Sequence, residues 1–294
     1  MTTFKSKIVF EGERNYMAFF LTLACNLKCS YCINHAGGSL HQGQSHLSAK
    51  DWIKAINRLE IRNATPVTLQ GGEPTLHKDF YEIVNEAEKD IKMDLLTNLM
   101  FDVDKFIKNV PIWRFQREAK YAPIRVSYHP GQNDINDLIK KTHTLEDAGF
   151  RIGIYGIAHP DKRIFAEIEK GKDKCIANGI DFRLKEYLGF YDGVLYGKYK
   201  YDGACDEKKF KKCFCKTSEL LVDPAGYIFR CHADLYKNRN AIAHILDDDF
   251  TIEKLDDYIP CENYGDCNPC DIKIKTNRFQ QFGHTSVDIK NITG

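Results

Sequence analysis

No stretch of this sequence is apolar for long enough to cross a membrane, and the N-terminal MTTFKSKIVFEGERN lacks the apolar core of a signal peptide. Neither sign of charge is in excess. The 42 Lys and Arg stand against 41 Asp and Glu, a formal charge of +1. That balance leaves no electrostatic footprint for nucleic acid or for an anionic membrane surface. Internal repeats and low-complexity tracts are missing too. These absences point to a cytoplasmic protein and make the cysteines conspicuous. There are 11 of them, an odd number in a compartment where disulfides rarely persist, so metal or thiol chemistry is the expectation.

What is present reads as an α/β chain. Short apolar runs alternate with longer amphipathic ones from Tyr16 to about Pro224. Six strands are predicted, at 16–23, 66–70, 93–98, 124–129, 151–158 and 181–188. Helices are predicted between them at 48–60, 77–90, 134–149 and 161–179, the first opened by Ser48 as N-cap with Asp51 in the capping-box position. Repeated β–α units of this kind form parallel sheets. Six rather than eight units predict a partial, open (β/α)6 barrel of the TIM type, with ligands gathering at the carboxyl ends of the strands. After Phe190 the chain becomes rich in Gly, Tyr and Lys, and we place a domain boundary there. Residues 1–190 form the partial barrel, and 191–294 a small α+β domain holding Cys205, Cys213, Cys215, Cys231, Cys261, Cys267 and Cys270.

Directly after the first predicted strand comes LACNLKCSYCIN, a Cys-x3-Cys-x2-Cys set at Cys25, Cys29 and Cys32. A disulfide cannot use three thiols, and a tetrahedral zinc site wants four. A loop can wrap three thiolates around a [4Fe–4S] cube, leaving one of its four irons open to another ligand. Half a zinc site, or unrelated buried cysteines, are other readings of the same spacing. After the second predicted strand, QGGEPT (residues 70–75) brings two glycines that permit close backbone approach, and Glu73, a carboxylate able to accept from an ammonium group. Alone, it reads as a tight turn.

Together, the cysteine triplet with Tyr31 before its last cysteine, and the Gly-Gly-Glu-Pro loop after the next strand, resemble the radical S-adenosylmethionine (SAM) enzymes over about residues 16–190. The resemblance implies that Cys25, Cys29 and Cys32 carry the catalytic cluster and that the open iron chelates the amino and carboxylate groups of SAM. Gly71, Gly72 and Glu73 would hold the amino group. It further implies cofactor contacts from Asn98 and Ser127 at the ends of the third and fourth strands, Ile157 against the adenine, and Arg183 against the methionine carboxylate. Alternation puts Arg125, Ser127 and His129 on one face of the fourth strand, making His129 a candidate beside the substrate.

The segment from Cys215 through Gly226 to Cys231 resembles the opening hairpin of the SPASM and twitch auxiliary-cluster domains. With Cys267 and Cys270 it implies a second, fully ligated [4Fe–4S] cluster. The order Cys-x5-Cys-x2-Cys departs from the longer SPASM pattern, leaving Cys205, Cys213 and Cys261 without assignment or one of them, Cys213, in place of Cys215. Taken without the N-terminal motifs, this region reads as a zinc ribbon, with His232 as a further ligand. Cys175 reads as an ordinary buried thiol. The lysine-rich run 208–212 reads as a solvated loop.

The resemblance implies an oxidoreductase fed by flavodoxin or ferredoxin, making a 5′-deoxyadenosyl radical that abstracts hydrogen from a substrate carbon. A closed auxiliary cluster would then accept an electron. With only about fifteen residues before the first strand and so no leader-binding domain expected, a small molecule such as a sugar or nucleoside derivative is the expected substrate, and a peptide the runner-up. A zinc or iron–sulfur protein without chemistry is the alternative of a different class.

Overall fold

The computed structural model describes residues 7–12, 14, 16–33, 45–206, 211–276 and 283–291. Its elements run β1 (Ile8–Phe10), β2 (Tyr16–Thr22), α1 (Ala49–Asn57), β3 (Leu59–Ile61), β4 (Val67–Gly71), α2 (Phe80–Glu86), β5 (Met93–Thr97), α3 (Val103–Asn109), β6 (Ile124–Ser127), α4 (Ile135–Asp147), β7 (Ile152–Ala158), α5 (Lys162–Ala177) and β8 (Phe182–Glu186). The chain continues through β9 (Gly189–Tyr191), β10 (Val194–Tyr196), β11 (Lys211–Thr217), β12 (Glu219–Val222), β13 (Tyr227–Phe229), α6 (His232–Tyr236), β14 (Ala243–His244), β15 (Ile259–Tyr264), α7 (Pro269–Ile272) and β16 (Val287–Asn291). Among the described residues, no helix is long and apolar enough to cross a membrane. Residues 208–210 of the lysine-rich run lie outside the described residues.

The six predicted barrel strands are β2, β4, β5, β6, β7 and β8, parallel and in that spatial order. The sheet is open. Alternation along β2 shows why both faces must be covered: Met17, Phe19 and Leu21 join the main core with Trp52, Leu69, Leu95, Phe106 and Ile154, beneath the helices. Ala18 and Phe20 point the other way, against Leu221, Phe229, Leu235 and Tyr236. Parallel strands buried on both faces read as continuous apolar runs, as YMAFFL does here. Ser48 caps α1 as expected, accepting from the Asp51 backbone N–H at 3.2 Å. Cys175 is fully buried in the main core.

The region after residue 190 does not stand apart from this sheet. Strand β12 pairs in parallel with β2, and β13 and β14 extend it antiparallel, giving a nine-stranded sheet. The expected hairpin is therefore present as β12–β13, but it is built into the barrel, while Cys215 lies on β11 in a separate antiparallel sheet ordered β15–β11–β16. Arg58 fastens the join. Its buried guanidinium donates to the carbonyls of Ile245 (2.9 Å), Asp247 (2.5 Å) and Phe250 (2.9 Å), spending its charge on a loop that would otherwise leave orphan acceptors.

Candidate functional site

Strands β2, β4, β5 and β6 deliver their carboxyl ends to one edge, and the cysteine loop follows β2 there. Three backbone and side-chain links hold it. The Gly72 N–H donates to the Thr22 carbonyl at 2.9 Å, the Glu73 N–H to the Ala24 carbonyl at 2.8 Å, and the Lys28 N–H to Gln132 Oε1 at 2.9 Å. Asn98, just past β5, donates to Asn26 Oδ1 at 2.7 Å and approaches Cys25 Sγ at 3.8 Å. Cys25 Sγ also accepts from the Leu27 N–H at 3.4 Å. N–H donors aimed at sulfur favour the thiolate, although burial pushes the Cys25 thiol up. Cys29 is buried and Cys32 half-buried, its N–H donating to the Cys29 carbonyl at 3.1 Å.

Glu73 is engaged within the chain. Its carboxylate is buried and accepts from Thr75 N (3.2 Å), Thr75 Oγ1 (2.6 Å), Thr97 Oγ1 (2.9 Å) and Asn98 N (2.7 Å). Burial raises its pKa against these four donors, which favour the ionised form. The side chain thus binds the loop after β4 to the end of β5, and with it the position of Asn98.

Beside the cysteine loop stands a ring of aromatics. Tyr31 Oη lies 3.0 Å from Nδ1 of His129, and the Tyr31 ring centroid is 4.9 Å from that of His159. His159 in turn lies 4.9 Å from Tyr187 and 5.0 Å from Tyr191. Ser127 and Ile157 end the neighbouring strands and are half-buried. The structure therefore gathers Cys25, Cys29, Cys32, Tyr31, Gly71, Gly72, Glu73, Asn98, Ser127 and Ile157 at one edge. Arg183 is the exception. It lies level with Ser127, through the register Ser127–Tyr155–Arg183, but its guanidinium pairs with Asp181 at 2.8 Å and donates to the Lys120 carbonyl at 3.1 Å. Two residues apart on a strand share a face, so the nearer carboxylate takes the cation. His159, Lys185 and Tyr187 were missed, yet the alternation that marks His129 also marks them, two and four residues beyond Ile157 and Arg183.

Burial first, and the positive charge of Lys185 second, lower His129 to about 4. The unfolded chain takes up this proton near 6.5, the folded chain only near 4, so the stability it contributes is complete above 6.5 and is lost as pH falls through that window. The expected loss is about 3 kcal/mol. Urea unfolding of the metal-free protein between pH 7 and pH 4 measures it (about the range of the window,): the midpoint should fall more steeply for the wild type than for His129→Gln, and equal slopes would refute it.

A second thiol group occupies the interior of the β15–β11–β16 sheet. Register sets Cys213 opposite Cys261. Cys213 and Cys215 Sγ are 3.6 Å apart, and the sulfurs of Cys213, Cys215 and Cys261 all lie within 4.8 Å of one another. Shared S–H protons hold Cys261 below its ordinary value and push Cys215 above it. Cys215, Cys231, Cys261 and Cys267 line one cavity, with Arg230 and Arg239 at its wall. Of the expected set, Cys215, Cys231 and Cys267 meet there. Cys261 joins them, while Cys270 sits on α7, its N–H donating to Asn268 Oδ1 at 2.9 Å. Cys205 Sγ reaches the Cys267 carbonyl at 3.3 Å. His232 is taken by Asp271, Nδ1 to Oδ1 at 2.7 Å, which removes that nitrogen from any zinc site.

Residues 19–149 match the model of the radical SAM superfamily. Those residues carry a radical SAM domain. Over 120 residues it is 33% identical to the GTP 3′,8-cyclase of Mannheimia succiniciproducens, covering 40% of this chain and 34% of that protein. Over 80 residues it is 36% identical to the PqqA peptide cyclase of Rhodopseudomonas palustris, covering 27% and 20%. The chain thus spans less than half the length of these curated relatives. In three dimensions it resembles anSMEcpe with bound AdoMet (TM-score 0.54, 15% identity, 83% of this chain and 80% of that one). It also resembles SuiB of Streptococcus suis bound to its precursor peptide SuiA (TM-score 0.50, 17% identity, 83% and 63%). The radical SAM family implies a [4Fe–4S] cluster and SAM. The cysteine loop fits the cluster: its three soft donors stand at the open edge of the sheet, and an amide donor is already aimed at one of them. The second cysteine group suits an auxiliary cluster, since a thiol-lined cavity walled by the buried Arg230 and the half-buried Arg239 supplies both soft ligands and positive charge.

Proposed function

We propose that the chain is a radical SAM oxidoreductase, with Cys25, Cys29 and Cys32 holding the catalytic cluster and the second thiol group an auxiliary one. The observation that carries this is a three-thiol loop clamped by Gly72 and Glu73 against the carboxyl edge of a parallel sheet. When bound and reduced, the cluster and SAM supply a 5′-deoxyadenosyl radical that takes hydrogen from the substrate. The chain's own residues orient that chemistry and keep water out. Gly71 and Gly72 let the backbone approach the amino group, Glu73 positions their loop and Asn98, Tyr31 and Ile157 flank the adenine, and Ser127 lies beside the sugar or carboxylate. Flavodoxin or ferredoxin supplies the electron, in keeping with the family's need for a reductant. Cys215, Cys231 and Cys267, with Cys261 beside Cys270 as candidate fourth ligand, hold the auxiliary cluster.

The substrate in this reading is a small molecule, a sugar or nucleoside derivative, which the similarity to GTP 3′,8-cyclases supports. The likeness to a peptide cyclase keeps a peptide as the second reading. For the second thiol group a zinc ion is a specific rival, because thiolates about 2.3 Å from a tetrahedral zinc stand about 3.8 Å apart, near the 3.6 Å between Cys213 and Cys215. Metal analysis after anaerobic purification, with a dithionite-driven assay for 5′-deoxyadenosine, separates these. The expected result is about eight irons per chain and SAM cleavage. About four irons with one zinc would reassign the second group alone. Zinc without iron, and no cleavage, would overturn the enzyme reading in favour of a metal-binding protein.

A further inference from the structure

The inner face of the barrel sheet carries more positive charge than its own carboxylates match. Register sets Leu96 beside Arg125, Tyr155 beside Arg183, and Ile157 beside Lys185, so Asp94, Arg125, Tyr155, Arg183 and Lys185 share that face. Asp94 is fully buried. It takes both Arg117 (2.7 Å and 2.7 Å) and Arg125 (3.1 Å). Lys273, reaching in from beyond α7, pairs with Glu186 at 3.3 Å. Six cations (Arg117, Arg125, Arg183, Lys185, Lys273, Lys275) thus stand against four carboxylates (Asp94, Asp181, Glu186, Glu219).

Two donors are left over. Arg125 Nε is buried and has no hydrogen-bond partner. Lys185 Nζ lies 4.9 Å over the Tyr155 ring. The residue is open to solvent, with protein packed on its Tyr155 side. Burial, then the neighbouring Arg125 charge, lower its ammonium to about 8 despite the Cys270 thiol nearby. Two like charges converging in a partly desolvated space are unfavourable unless an anion joins them. The place matters as well. His129, beside Tyr31 of the cysteine loop, feels the Lys185 charge, and Lys185 feels the Cys270 thiol of the C-terminal region, which sets it near both.

We propose that Arg125 and Lys185 form an anion-binding wall of the substrate site, recognising an oxyanion group of the substrate, a phosphate or a carboxylate. The proposal rests on the radical SAM reading for the word substrate, but the binding chemistry stands without it. Guanidinium supplies a directional N–H and ammonium a mobile point charge, a pairing suited to an oxyanion's several lone pairs.

The test uses the anaerobically reconstituted full chain, with pyrophosphate and succinate as probes at matched ionic strength. Calorimetric titration should show one of them binding, with affinity about tenfold weaker in Lys185→Gln and restored to within about threefold by Lys185→Arg. The probe that binds more tightly identifies phosphate or carboxylate as the source. Acetylation of Lys185, followed by peptide mass spectrometry, should slow about tenfold with that probe and not with KCl or SAM alone. Binding by neither probe, equal binding by Lys185→Gln, or equal protection by SAM alone would overturn the proposal, the last by giving these cations to the cofactor. Among the described residues the Lys185 side chain makes no hydrogen bond, and its backbone pairing with β7 is kept in both substitutions, so both variants should fold, and the circular dichroism spectrum checks this. SAM cleavage by the wild type is scored separately. Its absence with intact anion binding removes the enzyme reading, and its presence without anion binding removes only this site.

Discussion

Gly72→Ala is expected to lower the melting temperature by roughly 5–10 °C and to prevent stable iron incorporation at the N-terminal cysteines. A Cβ at this position would lie 2.2 Å from the Ala24 carbonyl oxygen, 2.5 Å from the Ala24 carbonyl carbon and 2.6 Å from the Leu23 oxygen. All three are backbone atoms, so no side chain can turn aside. The cysteine loop must then move off the loop after β4, and the bonds from Gly72 N to Thr22 and from Glu73 N to Ala24 are lost with it. Overpacking and two broken backbone hydrogen bonds together amount to about 3 kcal/mol. A Cβ at Gly71 would be tighter still, 1.9 Å from the Thr22 oxygen, at φ +149°. Differential scanning and iron analysis of Gly72→Ala measure the outcome. Wild-type values for both would show that the close approach does not hold the loop.

Cys32→Ala is expected to abolish 5′-deoxyadenosine formation while leaving the melting temperature of the metal-free protein within about 2 °C of wild type. Cys32 is only half-buried, and its recorded bond is made by the backbone N–H, which alanine keeps. Two thiolates cannot hold a cube that needs three, so about four irons should be lost and the rest retained in the second group. The assay is the same anaerobic reaction, with iron counted on each variant. Retained cleavage with full iron content would sink the assignment of the cluster to this loop.

Much of the barrel was legible because its signals are local. Each predicted barrel strand is found within two residues at either end, since runs such as IRVSYH and RIGIYGIA carry both their β-branched residues and their bounding turns. The triplet and the Gly-Gly-Glu loop were legible for the same reason. What failed to show was set by distant partners. Nothing within ELLV tells that β12 will lie beside β2, nearly 200 residues earlier in the chain. The thiol that accompanies Cys213 is chosen by the β11–β15 register, which brings up Cys261. Arg183 was expected near the cofactor from its strand alone, whereas the Asp181 carboxylate and the Lys120 carbonyl take its guanidinium. Lys185 carried no motif. Its meaning depends on Arg125, which only the strand order β6–β7–β8 brings near.

The insertion of β12 beside β2 has a consequence for synthesis. The strand that leads into the cysteine loop leaves the ribosome early, yet one of its edges has no partner until Glu219–Val222 emerges. At about 5–20 residues per second that interval is roughly 10–40 s. For that time an apolar strand edge is open to pairing with another nascent chain. Iron loading before the C-terminal region has docked would act on a loop whose supporting sheet is still incomplete. Expression at lower temperature or with added chaperone capacity, both of which favour late-forming contacts over association, is the condition this topology calls for.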